Sequence, residues 1–240
     1  MSNPPTSAIG TFIRDVCGTF LVPFTIRSLR RAATNVNSVD DALALAYNFQ
    51  SCQIRIAPGQ VPAEITSLLK VLAQRPPRRL LEIGTAGGGT FFLLSRVAAE
   101  DALLISADLP LGLFGGGYPK WRGRLIKSFR RPKQELHLLR VDSHVPQTLE
   151  HVKQLLNGRL LDFLFIDGDH RYEGVKRDLE MYSPLVMKGG LIGFHDIVPG
   201  PENNVGGVPK FWQELKQTRP AREFVADWKQ GGYGIGLIEA

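Results

Sequence analysis

Five side chains that could carry chemistry lie close behind two short apolar runs of the sequence. They are Asp167, Asp169 and His170 after the first run and His195 and Asp196 at the end of the second. Carboxylate oxygens and an imidazole together can bind a divalent cation such as Mg²⁺ or Mn²⁺. A cation of this kind lowers the pKa of a bound hydroxyl group, and a neutral imidazole can accept the proton that the hydroxyl releases.

A glycine-rich segment at residues 82–90, with the sequence EIGTAGGGT, overlaps the end of another apolar run. Glycine lets the backbone approach a ligand closely, and the N-terminus of a following helix offers free N–H groups. The nicotinamide fingerprint G-x-G-x-x-G is absent, since position 86 is alanine, and the P-loop pattern is absent because no lysine follows the glycines. The segment is therefore a ligand-binding turn of another kind, or a tight connection without a ligand.

Two acidic residues occupy comparable places after the next two apolar runs. Asp108 lies 26 residues after Glu82, where a carboxylate can accept two hydrogen bonds from the hydroxyls of a ribose. Asp142 and Ser143 follow the third run, where a carboxylate or a hydroxyl can bind the amino group of an adenine. Together with the glycine segment, these acids predict a nucleoside site. Its candidate residues are Glu82, Gly84, Thr85, Gly87, Gly88, Asp108, Asp142 and Ser143.

The elements that must position these residues alternate along the chain. The predicted strands are residues 79–84, 103–108, 136–141, 162–167 and 191–195, with closing edge strands at 223–226 and 233–238. Helical spacing of apolar residues fills the intervals, with Ser38 and Pro62 at predicted helix starts and Gly158 at a predicted helix end. This alternation predicts an α/β fold over residues 38–240, with a doubly wound, mostly parallel seven-stranded sheet.

These motifs resemble those of the class I S-adenosylmethionine-dependent methyltransferases. The glycine segment is similar to their first motif, and Asp108 to the acid that binds the ribose. More narrowly, the segments FIDGDHRYEGVKRDLE and GGLIGFHDI resemble a bacterial branch of sugar and macrolide-sugar O-methyltransferases and cephalosporin-hydroxylase-like proteins. The similarity covers about residues 55–240. It implies a Rossmann-like methyltransferase fold, S-adenosylmethionine as the cofactor, and methyl transfer to a hydroxyl of a small molecule such as a sugar or a glycosylated metabolite.

The resemblance also implies roles for the residues at the last two strand ends. By position, Asp167, His195 and Asp196 correspond to the metal ligands of metal-dependent relatives, although an acid is usual where this chain has His195. His170 is placed like the general base of the sugar O-methyltransferases; the alternative is that it caps the following helix or binds a backbone carbonyl. Asp167 has a second implied role, beside the positive end of the cofactor. Gln60 resembles a position near the active site of this branch.

Residues 1–37 read as a separate, helical amino-terminal arm. Aromatic and aliphatic residues are interleaved there with arginines, so the stretch 8–31 is amphipathic and basic. We expect the arm to pack on the domain or on a second subunit of a homo-oligomer. A basic amphipathic stretch can instead lie on an anionic membrane surface. No positive charge precedes the apolar stretch, which argues against a signal peptide.

The overall composition is that of a soluble globular protein, with 43% hydrophobic and 22% charged residues and a net charge of +6 over 240 residues. No apolar run approaches the ~20 residues that a membrane span needs. The two cysteines exclude a disulfide scaffold, and we expect a cytoplasmic location.

Two loops are candidates for acceptor recognition. Residues 109–133 carry basic and aromatic side chains that predict either a surface for an acidic substrate or a basic helix with Trp121, Leu125 and Phe129 as its buried stripe. Residues 198–209 are rich in glycine and proline and suit a lid. No nucleic-acid module surrounds the basic residues, so a nucleic-acid partner is not expected. Two functional alternatives stay open: a nicotinamide-dependent oxidoreductase on a similar fold, and a non-catalytic membrane-peripheral or scaffold protein.

Overall fold

The computed structural model describes residues 8–112, 114 and 116–240, with side chains from residue 18 onward. The part of the predicted amphipathic stretch 8–31 that precedes residue 18 therefore has side chains outside the described residues. The helices are α1 Ala8–Ala33, α2 Val39–Asn48, α3 Pro62–Gln74, α4 Gly89–Val97, α5 Lys120–Lys127, α6 Pro146–Leu156, α7 Tyr172–Tyr182, α8 Glu202–Val205 and α9 Val208–Leu215, with a 3₁₀ helix at Ser183–Leu185. The strands are β1 Gln50–Ser51, β2 Ile54–Arg55, β3 Arg79–Ile83, β4 Leu103–Ala107, β5 Glu135–Leu139, β6 Leu161–Ile166, β7 Val186–His195, β8 Ala221–Phe224 and β9 Ile235–Glu239.

Strands β3 to β9 form one sheet in the order β5-β4-β3-β6-β7-β9-β8. The neighbours from β5 to β7 run parallel, while β9 is antiparallel to both β7 and β8. Each parallel connection carries a helix, which returns the chain to the starting edge of the sheet. The prediction of an α/β fold with a doubly wound, mostly parallel seven-stranded sheet is confirmed. A separate two-stranded hairpin is formed by β1 and β2.

The hydrophobic core lies on both faces of this sheet. In β6, Phe163 and Phe165 face the layer that contains α1 to α5, and Leu164 and Ile166 face the layer that contains α6, α7 and α9. All four side chains are almost completely buried. Full burial of such a side chain stabilises a fold by roughly 1.5–3 kcal/mol, and a strand buried on both faces therefore needs the continuous apolar run that the sequence shows.

Several predicted element boundaries are confirmed. The Ser38 hydroxyl accepts a hydrogen bond from the N–H of Asp41 at 3.0 Å and so caps α2. Pro62 is the first residue of α3. Helix α6 ends with Asn157 and Gly158 in the left-handed region, at φ values of 49° and 74°. Left-handed residues at this place end a helix, as the sequence predicts.

The edge strands are displaced from their predicted positions by two residues. Strand β8 spans Ala221–Phe224 instead of residues 223–226, and β9 begins at Ile235 instead of residue 233. The later start of β9 follows from Tyr233 and Gly234, whose φ values of 62° and 82° belong to the left-handed region and cannot continue a strand.

The segment 198–209, whose glycines and prolines suit a lid, is partly helical. It contains α8, and α9 begins at Val208. Proline at the first or second helical position loses no hydrogen bond, so Pro209 is compatible with the start of α9. Trp212 of α9 is fully buried, which fixes the helix against the sheet.

The basic segment after β4 forms helix α5, as predicted. Leu125 and Phe129 are buried, and Trp121 is half-buried because its ring lies directly against Gly18 of α1. Helix α1 contributes Val22 and Leu29 to the core. The amino-terminal helix thus packs on the domain through one face. Among the described residues, no helix combines the length and the apolar character needed to cross a bilayer.

Candidate active site

The candidate site lies at the carboxyl-terminal edge of the sheet, next to the adjacent strands β3 and β6. The chain runs from β3 to β4 on one side, and from β6 to β7 on the other, so a crevice opens between the loops that follow the two central strands. A cavity of about 440 Å³ lies in this crevice. It is lined by a residue from the loop after each parallel strand, namely Gly84, Asp108, Asp142, Asp167 and Asp196. This volume suits a small-molecule site.

The glycine loop begins at Gly84, whose φ is 92°. A Cβ atom at this position would overlap the carbonyl oxygen of Asp167. Glycine therefore allows the loop after β3 to lie directly against the end of β6, and this contact joins the two halves of the site.

Asp108 lies at the end of β4 and holds the glycine loop in place. Its Oδ2 atom accepts hydrogen bonds from the N–H groups of Thr85 at 2.8 Å and Ala86 at 2.6 Å. Its Oδ1 atom is buried and has no hydrogen-bond partner among the described residues. Burial raises the pKa of this carboxyl, although the backbone N–H groups oppose the rise. The unpaired oxygen is an acceptor that a ligand hydroxyl can satisfy.

Asp142 and Ser143 line the cavity beyond β5. The Oδ1 atom of Asp142 accepts the N–H of His144 at 2.8 Å, and the hydroxyl of Tyr182 donates to the Ser143 carbonyl at 2.7 Å. The ring of His144 lies over the fully buried Asp178, with 3.3 Å between Nε2 and Oδ1. These contacts fix the shape of the loop on the side of the cavity opposite β7.

The other four residues of the predicted nucleoside site do not line the cavity; they are Glu82, Thr85, Gly87 and Gly88. Glu82 is fully buried beneath the loop, and burial raises the pKa of its carboxyl well above the ordinary value. The Thr85 hydroxyl contacts that of Ser106, and the Gly87 carbonyl accepts a hydrogen bond from Nε of Arg122 at 2.8 Å. In this structure these four predicted residues support the glycine loop from beneath and from the side. Their part in ligand binding stays a prediction.

The acidic and imidazole groups at the ends of β6 and β7 converge, as the sequence predicts. Nδ1 of His195 lies 3.0 Å from Oδ1 of Asp167 and 3.5 Å from Oδ2 of Asp196. The His170 ring lies between the same two carboxylates, with Nε2 3.5 Å from Asp167 and Nδ1 3.4 Å from Asp196. Asp169 also lines the cavity, but it pairs with the exposed Arg171.

His170 is held with one ring nitrogen available for chemistry. Its Nδ1 atom lies 2.5 Å from the carbonyl oxygen of Asn204, which can only accept a hydrogen bond. Nδ1 therefore carries a proton, and Nε2 faces Asp167 and the cavity. The ring of Phe114 stacks on the imidazole with 4.9 Å between centroids. Binding to a backbone carbonyl is the alternative to a general-base role that the sequence leaves open for His170. The contact with Asn204 is of this kind, but it uses only Nδ1, so it orients the ring and leaves Nε2 free of it.

The charges of this cluster determine its protonation. Burial alone would lower the pKa of His195, but Asp167 and Asp196 outweigh burial and raise it to about 9. Asp167 shows the reverse: burial opposes its ionisation, but His195 and His170 hold its pKa well below the ordinary value. The pKa of His170 is raised by the two carboxylates, and that of Asp196 is raised by burial. His195 and Asp167 are thus a buried ion pair at neutral pH.

Asp196 is directed into the cavity by an unusual backbone conformation. Its φ is 60°, in the left-handed region, and its Oδ1 atom accepts the N–H of Tyr233 at 2.9 Å. The segment containing Tyr233 is fixed in turn by Glu64, a buried residue of α3. Glu64 accepts hydrogen bonds from the N–H of Ala226 and of Gly234, each at 2.9 Å. Sequence reasoning missed Glu64, because an acid in the first turn of a helix is ordinary.

Gln60 is a further polar neighbour of the cluster. Its side-chain amide donates to Oδ2 of Asp167 at 3.2 Å, and its Oε1 atom is buried without a hydrogen-bond partner among the described residues. Its own carbonyl accepts the hydroxyl of Tyr47 at 2.7 Å. The contact agrees with the resemblance that placed Gln60 near the active site.

The donor set of the cluster fits a divalent cation. Asp167, His170 and Asp196 each offer one ligand atom, and these atoms lie within 4.8 Å of one another. His195 adds Nδ1 beside both carboxylates and a buried Nε2 with no hydrogen-bond partner in the described part of the chain. Two carboxylates with imidazole nitrogen suit Mn²⁺ or Mg²⁺, with the nitrogen favouring Mn²⁺. The predicted ligands Asp167, His195 and Asp196 do meet, and His170 is an equally close donor.

Comparisons with known proteins agree with this geometry. Residues 81–197 match the family model of a methyltransferase domain. The uncharacterized protein y4gI of Sinorhizobium fredii is 26% identical over 162 residues, which are 68% of this chain and 17% of that protein. The chain spans between 17% and 50% of the length of the curated relatives with which it was aligned.

Two solved structures share the fold. The O-methyltransferase TomG from Streptomyces achromogenes, in complex with S-adenosylmethionine, has a TM-score of 0.55 at 18% identity and covers 86% of this chain and 90% of its own. The O-methyltransferase from Bacillus cereus, in complex with S-adenosylhomocysteine, has a TM-score of 0.53 at 17% identity and covers 92% and 100%. At these identities the likeness shows a common architecture.

Proposed function

We propose that the chain transfers a methyl group from S-adenosylmethionine to a hydroxyl of a small molecule. The match of residues 81–197 to the family model of a methyltransferase domain supports this proposal, as does the fold that the chain shares with O-methyltransferase structures. The observation that carries the proposal is the single cavity that joins Asp108, beside the glycine loop, to the cluster around Asp167 and His170.

The cofactor would lie across the glycine loop. The unpaired Oδ1 of Asp108 is placed to accept the ribose hydroxyls, and Asp142 and Ser143 to bind the adenine amino group. Asp167 then faces the other end of the cofactor, where its carboxylate complements the positive sulfonium. S-adenosylmethionine supplies a methyl group that is transferred in one in-line displacement, so the protein mainly aligns the reactants and excludes water.

His170 is the proposed general base. As the acceptor oxygen attacks the methyl carbon, the bond from that carbon to sulfur breaks and the hydroxyl proton must leave. The Asn204 carbonyl fixes the proton on Nδ1 of His170, so that Nε2 can take the hydroxyl proton. The ring of Phe114 covers the imidazole and limits its access to water.

A divalent cation would be held by Asp167 and Asp196 with an imidazole nitrogen from His195 or His170. Such a cation supplies charge that favours the ionised form of an acceptor hydroxyl. If His195 is the ligand, its proton must first be lost, since the ion pair with Asp167 keeps it protonated.

The proposed acceptor is a sugar or a glycosylated metabolite. The resemblance of the segment FIDGDHRYEG to sugar O-methyltransferases supports this class. Polar groups at the cavity wall, including Arg171 and Asn204, are available to bind additional hydroxyls. The exposed Leu111 and the ring of Phe114 give the same wall an apolar part that suits the face of a sugar ring.

Methyl transfer to matched acceptors tests this function. The purified chain is incubated with methyl-labelled S-adenosylmethionine and a panel of glycosides, their amine analogues and their O-methylated derivatives, with Mn²⁺ or with a chelator. We expect label only on acceptors with a free hydroxyl. His170→Gln should lower kcat roughly 100-fold or more without changing the Kd of S-adenosylhomocysteine. His151→Gln, an exposed histidine of α6, is the matched control. Transfer only to the amines contradicts hydroxyl methylation but leaves the cofactor assignment standing.

A further inference from the structure

The outer face of helix α1 carries an apolar and basic stripe. Phe20, Phe24, Arg27 and Arg31 follow the spacing i, i+4, i+7 and i+11, which places them on one line along a helix. All four are exposed, and Phe20 and Phe24 expose 73% and 66% of their surface to solvent. Large apolar side chains that are exposed together on one helix face indicate an interaction surface.

The opposite face of α1 is already used by the fold. Val22, Thr25 and Leu29 are buried there, and Gly18 lies against the ring of Trp121 of α5. The helix is therefore fixed on the domain, and the stripe cannot turn inward without breaking this packing. The stripe therefore faces outward, with its two phenylalanines nearer the N-terminus of the helix and its two arginines nearer the C-terminus.

Helix α5, on which α1 packs, adds further positive charge. Lys120, Arg124 and Lys127 are exposed on α5, and Arg130 is exposed just beyond it. The sequence has no acidic residue between positions 109 and 134. The two neighbouring helices thus combine exposed aromatic rings with a concentrated positive charge.

We propose that the α1 stripe binds the surface of a membrane that contains anionic phospholipid, with the exposed cations of the neighbouring helix α5 adding to the electrostatic attraction. Phenylalanine side chains enter the boundary between headgroups and acyl chains, and arginine and lysine side chains attract the lipid phosphates. The charge argues against a second copy of the chain as the occupant, because two such faces would bring positive groups together. The proposal is independent of the methyl-transfer chemistry, and either can fail without the other.

Vesicle co-sedimentation of the full chain tests the proposal. Vesicles of phosphatidylcholine with phosphatidylglycerol are compared with vesicles of phosphatidylcholine alone, at low and at high salt. We expect binding to the anionic vesicles, a strong loss of binding at high salt, and little binding to the neutral ones. Phe20→Ser with Phe24→Ser should weaken binding at least roughly tenfold, and Arg27→Gln with Arg31→Gln roughly fivefold per residue.

Leu160→Ser is the matched control, because Leu160 is 43% exposed and lies in the α6–β6 connection. It should bind as the unchanged protein does, and the thermal unfolding of each variant shows that it is folded. Equal binding of the phenylalanine variant, or no preference for anionic lipid, overturns the proposal. A different result would also overturn the proposal: the unchanged protein binds no vesicles and is a dimer, and the phenylalanine variant is a monomer. In that case the face would join two copies of the chain. Preferential retention by RNA would likewise overturn it.

Discussion

Nδ1 of His195 lies 3.0 Å from Oδ1 of Asp167, although 28 residues separate the two in the chain. The contact forms because β6 and β7 are parallel neighbours, Asp167 directly follows β6, and His195 is the last residue of β7. Both side chains are largely buried. The pair therefore contributes to the fold as well as to the proposed cation site, and changing one partner should affect both.

Asp167→Asn should destabilise the protein by about 3 kcal/mol, because it leaves the His195 imidazolium buried without its counter-charge. It should also abolish Mn²⁺ binding. The free energy of unfolding in urea and a calorimetric Mn²⁺ titration check the two effects. Asp169→Asn is the matched control: its partner Arg171 is exposed, so the loss should stay below about 1 kcal/mol with Mn²⁺ affinity unchanged. Equal Mn²⁺ affinity in Asp167→Asn and the unchanged protein would remove Asp167 from the proposed ligands.

Substitution by alanine should lower the stability of the protein by different amounts at two glycines that have left-handed backbone conformations. Gly158→Ala meets no atom within 4 Å and should cost about 1 kcal/mol, from the left-handed conformation alone. Gly84→Ala adds a collision with the Asp167 carbonyl and should cost about 3 kcal/mol or more. Urea unfolding of both variants measures the difference. Similar losses would mean that the loop after β3 does not lie as closely against β6 as the structure has it.

Glu64→Gln should loosen the connection between β8 and β9. Glutamine keeps one carbonyl oxygen but places an amide group among the N–H donors of Ala226 and Gly234. The expected loss is about 2 kcal/mol, measured by urea unfolding, with faster hydrogen exchange at those two amides. Glu180→Gln on the exposed face of α7 should change stability by less than about 0.5 kcal/mol. Unchanged exchange at both amides in Glu64→Gln would show that Glu64 does not hold this segment.

His144 should make stability depend on pH. The buried Asp178 carboxylate, whose Oδ1 lies 3.3 Å from Nε2 of His144, raises the pKa of the imidazole above the ordinary 6.5, against the opposing effect of burial. A group whose pKa is higher in the folded state stabilises the protein below the ordinary pKa, and this contribution is lost as the pH rises through the raised value. The Tm difference between the unchanged protein and His144→Gln should therefore shrink as the pH rises above the ordinary pKa of 6.5. His170 and His195 act with the same sign, but they are common to both proteins and cancel in the difference. A constant difference would contradict the pairing with Asp178.

The sequence predicts the strands and their terminal acids well, because both are encoded locally. A short apolar run that ends in an acid, repeated along the chain, specifies a parallel sheet and one functional edge. Asp108, Asp142, Asp167 and Asp196 each follow a strand and all line the same cavity. Their convergence follows from the parallel order alone, without any knowledge of the loops.

Contacts made over long sequence distances are not encoded in this way. Glu64 lies 162 residues from Ala226, and nothing near it in the sequence marks the backbone groups that it binds. The Asn204 carbonyl that orients His170 belongs to α8, inside the segment 198–209, for which the sequence indicates a lid but no helix. Strand β9 begins later than predicted because Tyr233, a residue of high strand propensity, has a left-handed backbone conformation.

The central claim is that the cavity binds a sulfur-containing nucleoside through Asp108. Calorimetric titration of the purified protein with S-adenosylhomocysteine, and separately with NADH, tests it most directly. We expect saturable binding of S-adenosylhomocysteine, no binding of NADH, and at least roughly tenfold weaker binding of S-adenosylhomocysteine in Asp108→Asn. Asp101→Asn, at an exposed carboxylate outside the cavity, should bind as the unchanged protein does. A folded protein that binds NADH but not S-adenosylhomocysteine would contradict the account.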